Sequence, residues 1–181
     1  MIPDWMASAP LPFDTVLVAN RGEIAVRILR AARESGLRGI AIYSDSDAGS
    51  LHVENADEAV HLPGTSLADT YLNGDAIIEA ARSTGAQAIH PGFGFLSERA
   101  HFANAVKEAG LIWIGPPADA IDTMGDKISA RRCMIESGVP VIPGEEISMG
   151  GDANHLGVLA AAAARVGYPL LLKASAGGGC I

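Results

Sequence analysis

Residues 14–43 read DTVLVANRGEIAVRILRAARESGLRGIAIY, and they carry the signals of a strand, a helix and a second strand in that order. The first strand, Asp14–Ala19, is apolar almost throughout, which is typical of a strand buried on both faces. The second strand, Gly39–Tyr43, is similarly apolar and follows the helix after a short loop. This order predicts two parallel strands joined by a crossover helix.

The helix between these strands has recognisable ends. Asn20 and Glu23 are three residues apart and nearly match a capping box, so we expect Asn20 to cap the helix. Gly36 supplies the stop signal at the other end. The apolar residues that a helical period places on one face are Ile24, Ile28, Leu29, Ala31 and Ala32.

The same alternation continues further along the chain. Short strands are predicted at Glu58–Leu62, Gln87–His90 and Leu111–Gly115. Helices are predicted at about 73–84 and 98–109. Together with the first unit, these elements predict an α/β fold with a Rossmann-like, doubly wound parallel sheet and helices on both faces.

The chain divides into three predicted segments. Residues 1–12 lack the basic start and the long apolar stretch of a secretory signal, and we expect a disordered leader. Residues 13–124 are expected to form the Rossmann-like domain, with a boundary near residues 116–125. Residues 125–181 are expected to begin a second domain without completing it. The elements predicted there are helices at 127–137 and about 154–166 and a buried strand at 168–174.

Composition narrows the classes of function. The chain has 21 acidic and 13 basic residues and a formal charge of −8, which argues against a nucleic-acid partner. The longest apolar stretch, Leu156–Ala164, is far shorter than the roughly 20 residues that a membrane span needs. Two cysteines, Cys133 and Cys180, are too few for a disulfide framework and favour a reducing cytoplasm. The five histidines are scattered without metal-ligand spacing, so no metal site is predicted.

Two segments follow predicted strands at the carboxyl edge of the sheet, where open α/β sheets bind ligands. Residues 20–23, NRGE, lack the glycine spacing of a dinucleotide-binding turn, and they are either a capped turn or part of a site. Residues 90–98, HPGFGFLSE, contain two glycines, which allow close approach of a ligand or of another segment, and Ser97 can cap the next helix. The alternative is a tight loop that packs its phenylalanines into the core.

Two lysines are candidates for binding an anion. Lys127 lies in the first turn of a predicted helix, an unfavourable place for a cation unless it serves an anion, although a solvated lysine is also compatible. Lys173 follows an apolar run and precedes Gly177, Gly178 and Gly179, whose backbone N–H groups suit phosphate oxygens. The alternative for the glycine segment is a flexible linker.

Four segments in order resemble the amino-terminal part of biotin carboxylase, an enzyme with an ATP-grasp domain. They are VANRGEIA at 18–25, HPGFGFLSE at 90–98, MGDK at 124–127 and KASAGGG at 173–179. The resemblance covers about residues 13–179. It implies a pre-ATP-grasp domain followed by the start of the ATP-grasp fold. It also implies a parent ligase that uses ATP, Mg²⁺ and bicarbonate to carboxylate biotin on a carrier domain, with a carboxyltransferase as further partner.

The resemblance also implies roles for individual residues. Lys127 would contact the nucleotide, Lys173 its phosphates, and Gly177–Gly179 would open a mobile lid over them. Phe93 and Gly94 match a place near biotin, but the family usually has tyrosine where Phe93 stands. The residues that match a homodimer contact of bacterial relatives are Arg27, Arg30 and Glu34.

The family continues after these glycines with the residues that hold adenine, magnesium and bicarbonate and with the catalytic base. We therefore expect no catalytic residue and no metal ligand within residues 1–181, and no turnover by this chain alone. Two other functions are compatible with the sequence. One is a non-catalytic Rossmann-like module for assembly or regulation, and the other is part of a different ATP-grasp ligase.

Overall fold

The computed structural model describes residues 11–147 and 155–172. The chain forms two compact units that divide after Asp122. Most of the predicted leader, together with Lys173 and Gly177–Gly179, lies outside the described residues.

The first unit alternates strands and helices as predicted. Its strands are β1 Thr15–Val18, β2 Arg38–Tyr43, β3 Glu58–His61, β4 Ala88–His90 and β5 Ile112–Trp113. Its helices are α1 Gly22–Glu34, α2 Leu51–Glu54, α3 Gly74–Ser83, α4 Ala100–Glu108 and α5 Ala118–Gly125, the last of which crosses the division after Asp122. Single 3₁₀ turns occupy Asp45–Asp47 and Phe95–Glu98. Helices α2 and α5 were not predicted from the sequence.

The five strands form one parallel sheet in the order β3-β2-β1-β4-β5. Strand β1 is central: Val18 is opposite Ala41 of β2 on one side and His90 of β4 on the other. The reversal of strand order beside β1 is the arrangement of a doubly wound, Rossmann-like sheet, and it confirms the predicted fold class.

Helices cover both faces of this sheet. On one face, α3 and α4 contribute Ile77 and Phe102 to a large core that includes Leu17, Ile42 and Ile89. Phe102 meets Trp113 edge-on, with ring centroids 5.7 Å apart. On the opposite face, the smaller cluster that α1 forms with β1 and β2 consists of Val18, Ala25, Leu29 and Ala41. The sheet is therefore buried on both sides, which explains its continuous apolar strands.

Helix α1 differs from its prediction in two ways. Its N-cap is Arg21, and no side chain caps it, so the predicted capping box is wrong. The residues of α1 that are fully buried are Ala25, Leu29 and Ala32, whereas Ala31 is exposed. Gly36 follows the helix end with φ of +76°, as its predicted role as a stop requires.

The start of α4 also differs. Arg99 occupies the N-cap position without a side-chain hydrogen bond, and Ser97 lies in the preceding 3₁₀ turn. The predicted cap at Ser97 is therefore wrong. By contrast, Asn73 caps α3 through its side chain, which accepts a hydrogen bond from Ala76 N at 3.1 Å.

The second unit contains α6, Lys127–Glu136, and α7, His155–Val166, close to the two predicted helices. Asp126 caps α6 by accepting a hydrogen bond from Ser129 N at 2.9 Å. The predicted buried strand at 168–174 is wrong in its described part, because residues 168–172 form no strand. Tyr168, Leu171 and Leu172 are exposed, so their apolar character does not correspond to burial among the described residues.

Candidate site at the carboxyl edge of the sheet

The carboxyl ends of β1, β2 and β4 bring three loops of the first unit together. The loop after β1 contributes Asn20 and Arg21, and the loop after β2 contributes Asp47. The loop after β4 contributes residues 91–95, the last of which begins a 3₁₀ turn. This is the edge at which parallel α/β sheets bind ligands, and two of the three loops were candidates from the sequence.

Asn20 joins the first and the third of these loops. Its side-chain Nδ2 donates hydrogen bonds to the carbonyl oxygens of Pro91 at 2.8 Å and Phe93 at 3.0 Å. Its Oδ1 accepts a hydrogen bond from the backbone N–H of Arg21 at 2.9 Å. The residue is only 2% exposed. Both amide protons of Asn20 are therefore used to hold the loop that follows β4.

Two glycines of this loop have backbone conformations with positive φ, and one of them lies against Asn20. Gly92 has φ of +72°, and a Cβ at this position would lie 2.7 Å from Asn20 Nδ2. Gly94 has φ of +70°. The loop therefore approaches Asn20 closely. The sequence left open whether this close approach is to a ligand or to another segment of the chain. Phe95 has φ of +50°, an uncommon conformation for a residue with a side chain.

The two phenylalanines of the loop lie in different environments. Phe95 is half-buried and stacks on Tyr71, with ring centroids 5.7 Å apart and an interplanar angle of 10°. Phe93 is 79% exposed. The interpretation of a loop that packs its phenylalanines into the core is thus correct for Phe95 and wrong for Phe93, and a ligand contact of Phe93 stays a prediction.

Asp47 is the centre of a second buried cluster at the same edge. It accepts hydrogen bonds from Tyr71 Oη at 2.6 Å and from Ser44 Oγ at 3.1 Å, and Arg21 lies 2.9 Å from its other oxygen. Burial opposes ionisation of Asp47, but these two hydrogen bonds and the Arg21 charge outweigh it. The pKa of Asp47 therefore lies below its ordinary value.

Tyr71 connects this carboxylate to the loop after β4. Its hydroxyl donates to Asp47 and accepts a hydrogen bond from Ser44 N at 3.1 Å, and the Arg21 guanidinium lies 5.5 Å from its ring centroid. Burial, with the adjacent Asp47, raises the pKa of Tyr71 to about 12, so the phenol stays protonated as a donor. Sequence reasoning missed Asp47 and Tyr71. The available signal was the polar run Ser44–Asp47 directly after an apolar strand.

Two histidines lie near these loops. The half-buried His90 accepts a hydrogen bond at Nδ1 from Gly92 N at 3.0 Å, and burial lowers the pKa of its ring. His52 is fully buried and donates from Nε2 to the carbonyl of Ile42 at 3.2 Å. Within the described residues, His52 Nδ1 has no hydrogen-bond partner, and burial lowers the pKa of His52 as well. Both rings are therefore neutral at pH 7.

The other predicted site residues fall in different places. Lys127 is the exposed first residue of α6, in the second unit. Arg27, Arg30 and Glu34 are exposed on α1, where Arg30 and Glu34 lie 3.9 Å apart. Arg27 lines a groove of about 290 Å³ whose apolar wall includes Val16, Ile28 and Ile114.

Over residues 11–147 and 155–172, no group of three or more His, Cys, Asp or Glu side chains could hold a metal ion. In the same part of the chain, no helix has the length and apolar character to cross a membrane.

The sheet order, the helices on both faces and the loops at the carboxyl edge define a Rossmann-like α/β domain. Residues 12–121 match the family described as "Biotin carboxylase, N-terminal domain". The chain therefore belongs to the biotin carboxylase N-terminal domain family, as the four sequence segments indicated. Residues 126–181 match the family described as "Carbamoyl-phosphate synthase L chain, ATP binding domain".

Individual relatives support the same assignment. The chain is 50% identical over 171 residues to a biotin carboxylase of Halalkalibacterium halodurans, covering 93% of this chain and 36% of the relative. It is 51% identical over 166 residues to the mitochondrial methylcrotonoyl-CoA carboxylase subunit alpha of Oryza sativa, covering 92% and 22% respectively. The chain thus spans about a third or less of the length of these relatives.

A solved structure shows the same similarity. The biotin carboxylase domain dimer of Hydrogenobacter thermophilus 2-oxoglutarate carboxylase, in complex with MgADP, ADP and bicarbonate, has a TM-score of 0.81 and 45% identity to this chain. The similarity covers 94% of this chain and 36% of that protein. At this level of identity, the likeness extends beyond the fold to the family.

Proposed function

We propose that this chain acts as the amino-terminal part of a biotin carboxylase, an ATP-dependent carbon–nitrogen ligase. The observation that carries the proposal is the 50% identity to a biotin carboxylase over 93% of the chain. The match of residues 126–181 to an ATP-binding domain supports a role in binding the nucleotide. The paucity of cysteines favours the cytoplasm as the compartment.

The proposed overall reaction converts ATP, bicarbonate and biotin to ADP, phosphate and N1′-carboxybiotin. ATP, with Mg²⁺, supplies the phosphoryl group that activates bicarbonate as carboxyphosphate. A bond forms between biotin N1′ and the carboxyl carbon, the bond from that carbon to the phosphate oxygen breaks, and the N1′ proton passes to the departing phosphate. The acceptor is biotin on a carrier domain, and a carboxyltransferase then uses the carboxylated carrier.

We assign the nucleotide side of this reaction to the second unit. Lys127 is exposed at the first position of α6, so its ammonium can reach a nucleotide in solvent. The Asp126 carboxylate beside it accepts from Ser129 at the helix start and is thus fixed by the helix itself. Lys173 is proposed to bind the phosphates, and Gly177–Gly179 to open the lid that excludes water from the labile intermediate.

We assign the biotin side to the loop after β4 in the first unit. Phe93 is 79% exposed on a loop whose backbone is held by Asn20, so its ring can contact the ureido ring system of biotin at little entropic cost. Gly94 beside it leaves the backbone accessible. Because Phe93 has no hydroxyl, its proposed contribution is apolar contact and not a hydrogen bond.

A chimera tests the proposal. This chain would replace the aligned segment of the Halalkalibacterium halodurans biotin carboxylase, and ATP hydrolysis would be measured with and without bicarbonate and free biotin. We expect hydrolysis that needs both, within about tenfold of the unaltered enzyme. The variant Lys127→Ala should raise the KM for ATP. A folded chimera without biotin-dependent hydrolysis would contradict the proposed function.

One observation favours an additional assembly role. Arg27 lines an apolar groove of about 290 Å³, and Arg30 and Glu34 are exposed on the same helix, so α1 presents a surface that another protomer can cover. We propose that α1 forms a homodimer contact. The alternative function is a non-catalytic module for assembly. It would be indicated by a chain that forms this dimer contact together with a chimera that shows no biotin-dependent turnover.

A further inference from the structure

The loop after β4 is held at two points by residues from other loops. At its start, both amide protons of Asn20 bind the carbonyls of Pro91 and Phe93. At its end, the Phe95 ring stacks on Tyr71, whose hydroxyl is fixed by Asp47. Phe93 lies between these two points and is the exposed residue of the loop.

The two hydrogen bonds from Asn20 to the loop require an amide side chain. Asn20 is buried and only its Nδ2 group can donate to two carbonyls at once from this position. An aspartate has the same shape and could still accept from Arg21 N, but its oxygen would face the oxygens of Pro91 and Phe93. The buried carbonyl of Pro91 and the partly buried carbonyl of Phe93 would then lose their donors, which is unfavourable for the observed loop position.

The loop would adopt another position without this hold. Gly92 at φ of +72° and Phe95 at φ of +50° occupy left-handed conformations, and that of Phe95 is unfavourable for a residue with a Cβ. Backbone of this kind persists when the surrounding structure over-determines it. The contacts that do so here come from Asn20 and Tyr71, both outside the loop.

From this geometry we infer that Asn20 is a positioning residue: it fixes the loop so that the Phe93 ring stands where biotin binds, and it thereby sets affinity for biotin without affecting the nucleotide. The inference rests on the proposed function, in which Phe93 contacts biotin. It assigns to Asn20 a role that is transmitted through the loop and involves no contact with substrate.

The first test uses all 181 residues of this chain and needs no activity. Amide hydrogen exchange would be followed at Gly92 and Ser97, whose N–H groups bond to His90 Nδ1 and Gly94 O, and at Ile114, which bonds to Ile89 O in the sheet. In Asn20→Asp we expect exchange at Gly92 and Ser97 to accelerate at least about tenfold, with Ile114 unchanged. Equal acceleration at all three amides, or none, would overturn the inference.

The matched control is Asn73→Asp. Asn73 uses its Oδ1 to cap α3, and aspartate can accept the same hydrogen bond, so exchange at Gly92 and Ser97 should stay at the level of the unaltered chain. Gly92→Ala is the second loop variant. It keeps Asn20, but its Cβ would lie 2.7 Å from Asn20 Nδ2 and push the loop away, so it tests the same hold if Asn20→Asp does not fold.

The second test uses the chimera with free biotin and MgATP as probes. We expect Asn20→Asp and Gly92→Ala to raise the KM for biotin about tenfold or more and to change the KM for ATP less than twofold. A general loss of structure would change the KM for biotin and the KM for ATP together. An unchanged KM for biotin, or an equal rise in both constants, would overturn the inference. A folded but inactive chimera would instead contradict the proposed function, and the exchange test would still decide whether Asn20 holds the loop.

Discussion

The phenol of Tyr71 donates a 2.6 Å hydrogen bond to the buried carboxylate of Asp47, twenty-four residues earlier in the chain. This bond joins the loop after β2 to the segment that precedes α3. Because Tyr71 also stacks on Phe95, a single side chain links a fixed negative charge to the end of the loop after β4.

Removing this hydroxyl should destabilise the chain. We expect Tyr71→Phe to lower the free energy of unfolding by about 1.5–3 kcal/mol, because a hydrogen bond to an ionised, buried group is lost. Urea denaturation would measure the change. Tyr43→Phe is the control, since the Tyr43 ring stacks on His61 at 5.2 Å and phenylalanine can keep that contact. Equal effects of the two substitutions would contradict this role of Tyr71.

Stability should fall as the pH decreases below about 6.5. Burial lowers the pKa of His52 and of His90 from 6.5, so below that pH the unfolded chain binds more protons than the folded chain. Because the unfolded chain then takes up protons that the folded chain does not, the free energy of unfolding decreases until the pH falls below the pKa values of these histidines in the folded chain. Asp47, whose pKa is lowered from 3.8, adds a further loss only in the more acidic range.

A substitution separates the contribution of His52 to this pH dependence. His52→Gln cannot take up a proton, so its loss of stability between pH 7.5 and 5.5 should be smaller than that of the unaltered chain, by up to about 1 kcal/mol. Denaturant unfolding at the two pH values would measure it. The exposed His101→Gln serves as control. Stability that rises on acidification would contradict the prediction.

A homodimer through α1 should depend on charge. We expect Arg30→Glu to convert a dimer to a monomer in sedimentation experiments, because it would reverse the charge of an exposed residue in the proposed contact between protomers. Arg82→Glu on α3 makes the same charge change outside α1 and should leave the dimer intact. If the unaltered chain is strictly monomeric, α1 does not support self-association within these 181 residues.

The chain alone should bind ATP weakly and show no turnover. The residues that the resemblance assigns to the nucleotide, Lys127, Lys173 and Gly177–Gly179, are two cations and three glycines, which supply neither an adenine pocket nor carboxylates for a metal ion. We expect a dissociation constant weaker than about 1 µM by calorimetry with MgATP. Tighter binding, or bicarbonate-dependent hydrolysis of ATP by the chain, would contradict this prediction.

The sheet could be predicted because most of its strands contain a short apolar run, and because parallel strands joined by helices have few possible arrangements. The role of Asn20 could not. An asparagine before a helix is a common cap, and only the folded chain shows that its amide is used by carbonyls more than seventy residues away. Asp47 and Tyr71 were missed for a similar reason: the polar run Ser44–Asp47 after β2 indicates a possible site, but the sequence does not show that Tyr71 pairs with Asp47.

The prediction at 168–174 failed differently. An apolar run indicates a strand only if a neighbouring strand pairs with it and covers it, and residues 168–172 have no such partner among the described residues. The roles of Lys127, Lys173 and Gly177–Gly179 came from resemblance, and they stay predictions.

The central place of β1 has a consequence for how this domain can misfold. Val18 is paired with β2 on one side and β4 on the other, so a shift of β1 by one residue would have to break the register on both sides. Such a shift would also turn Asn20 to the opposite face of the sheet. A misaligned sheet would therefore leave Phe93 on a loop that Asn20 no longer holds, even where the strands themselves had paired.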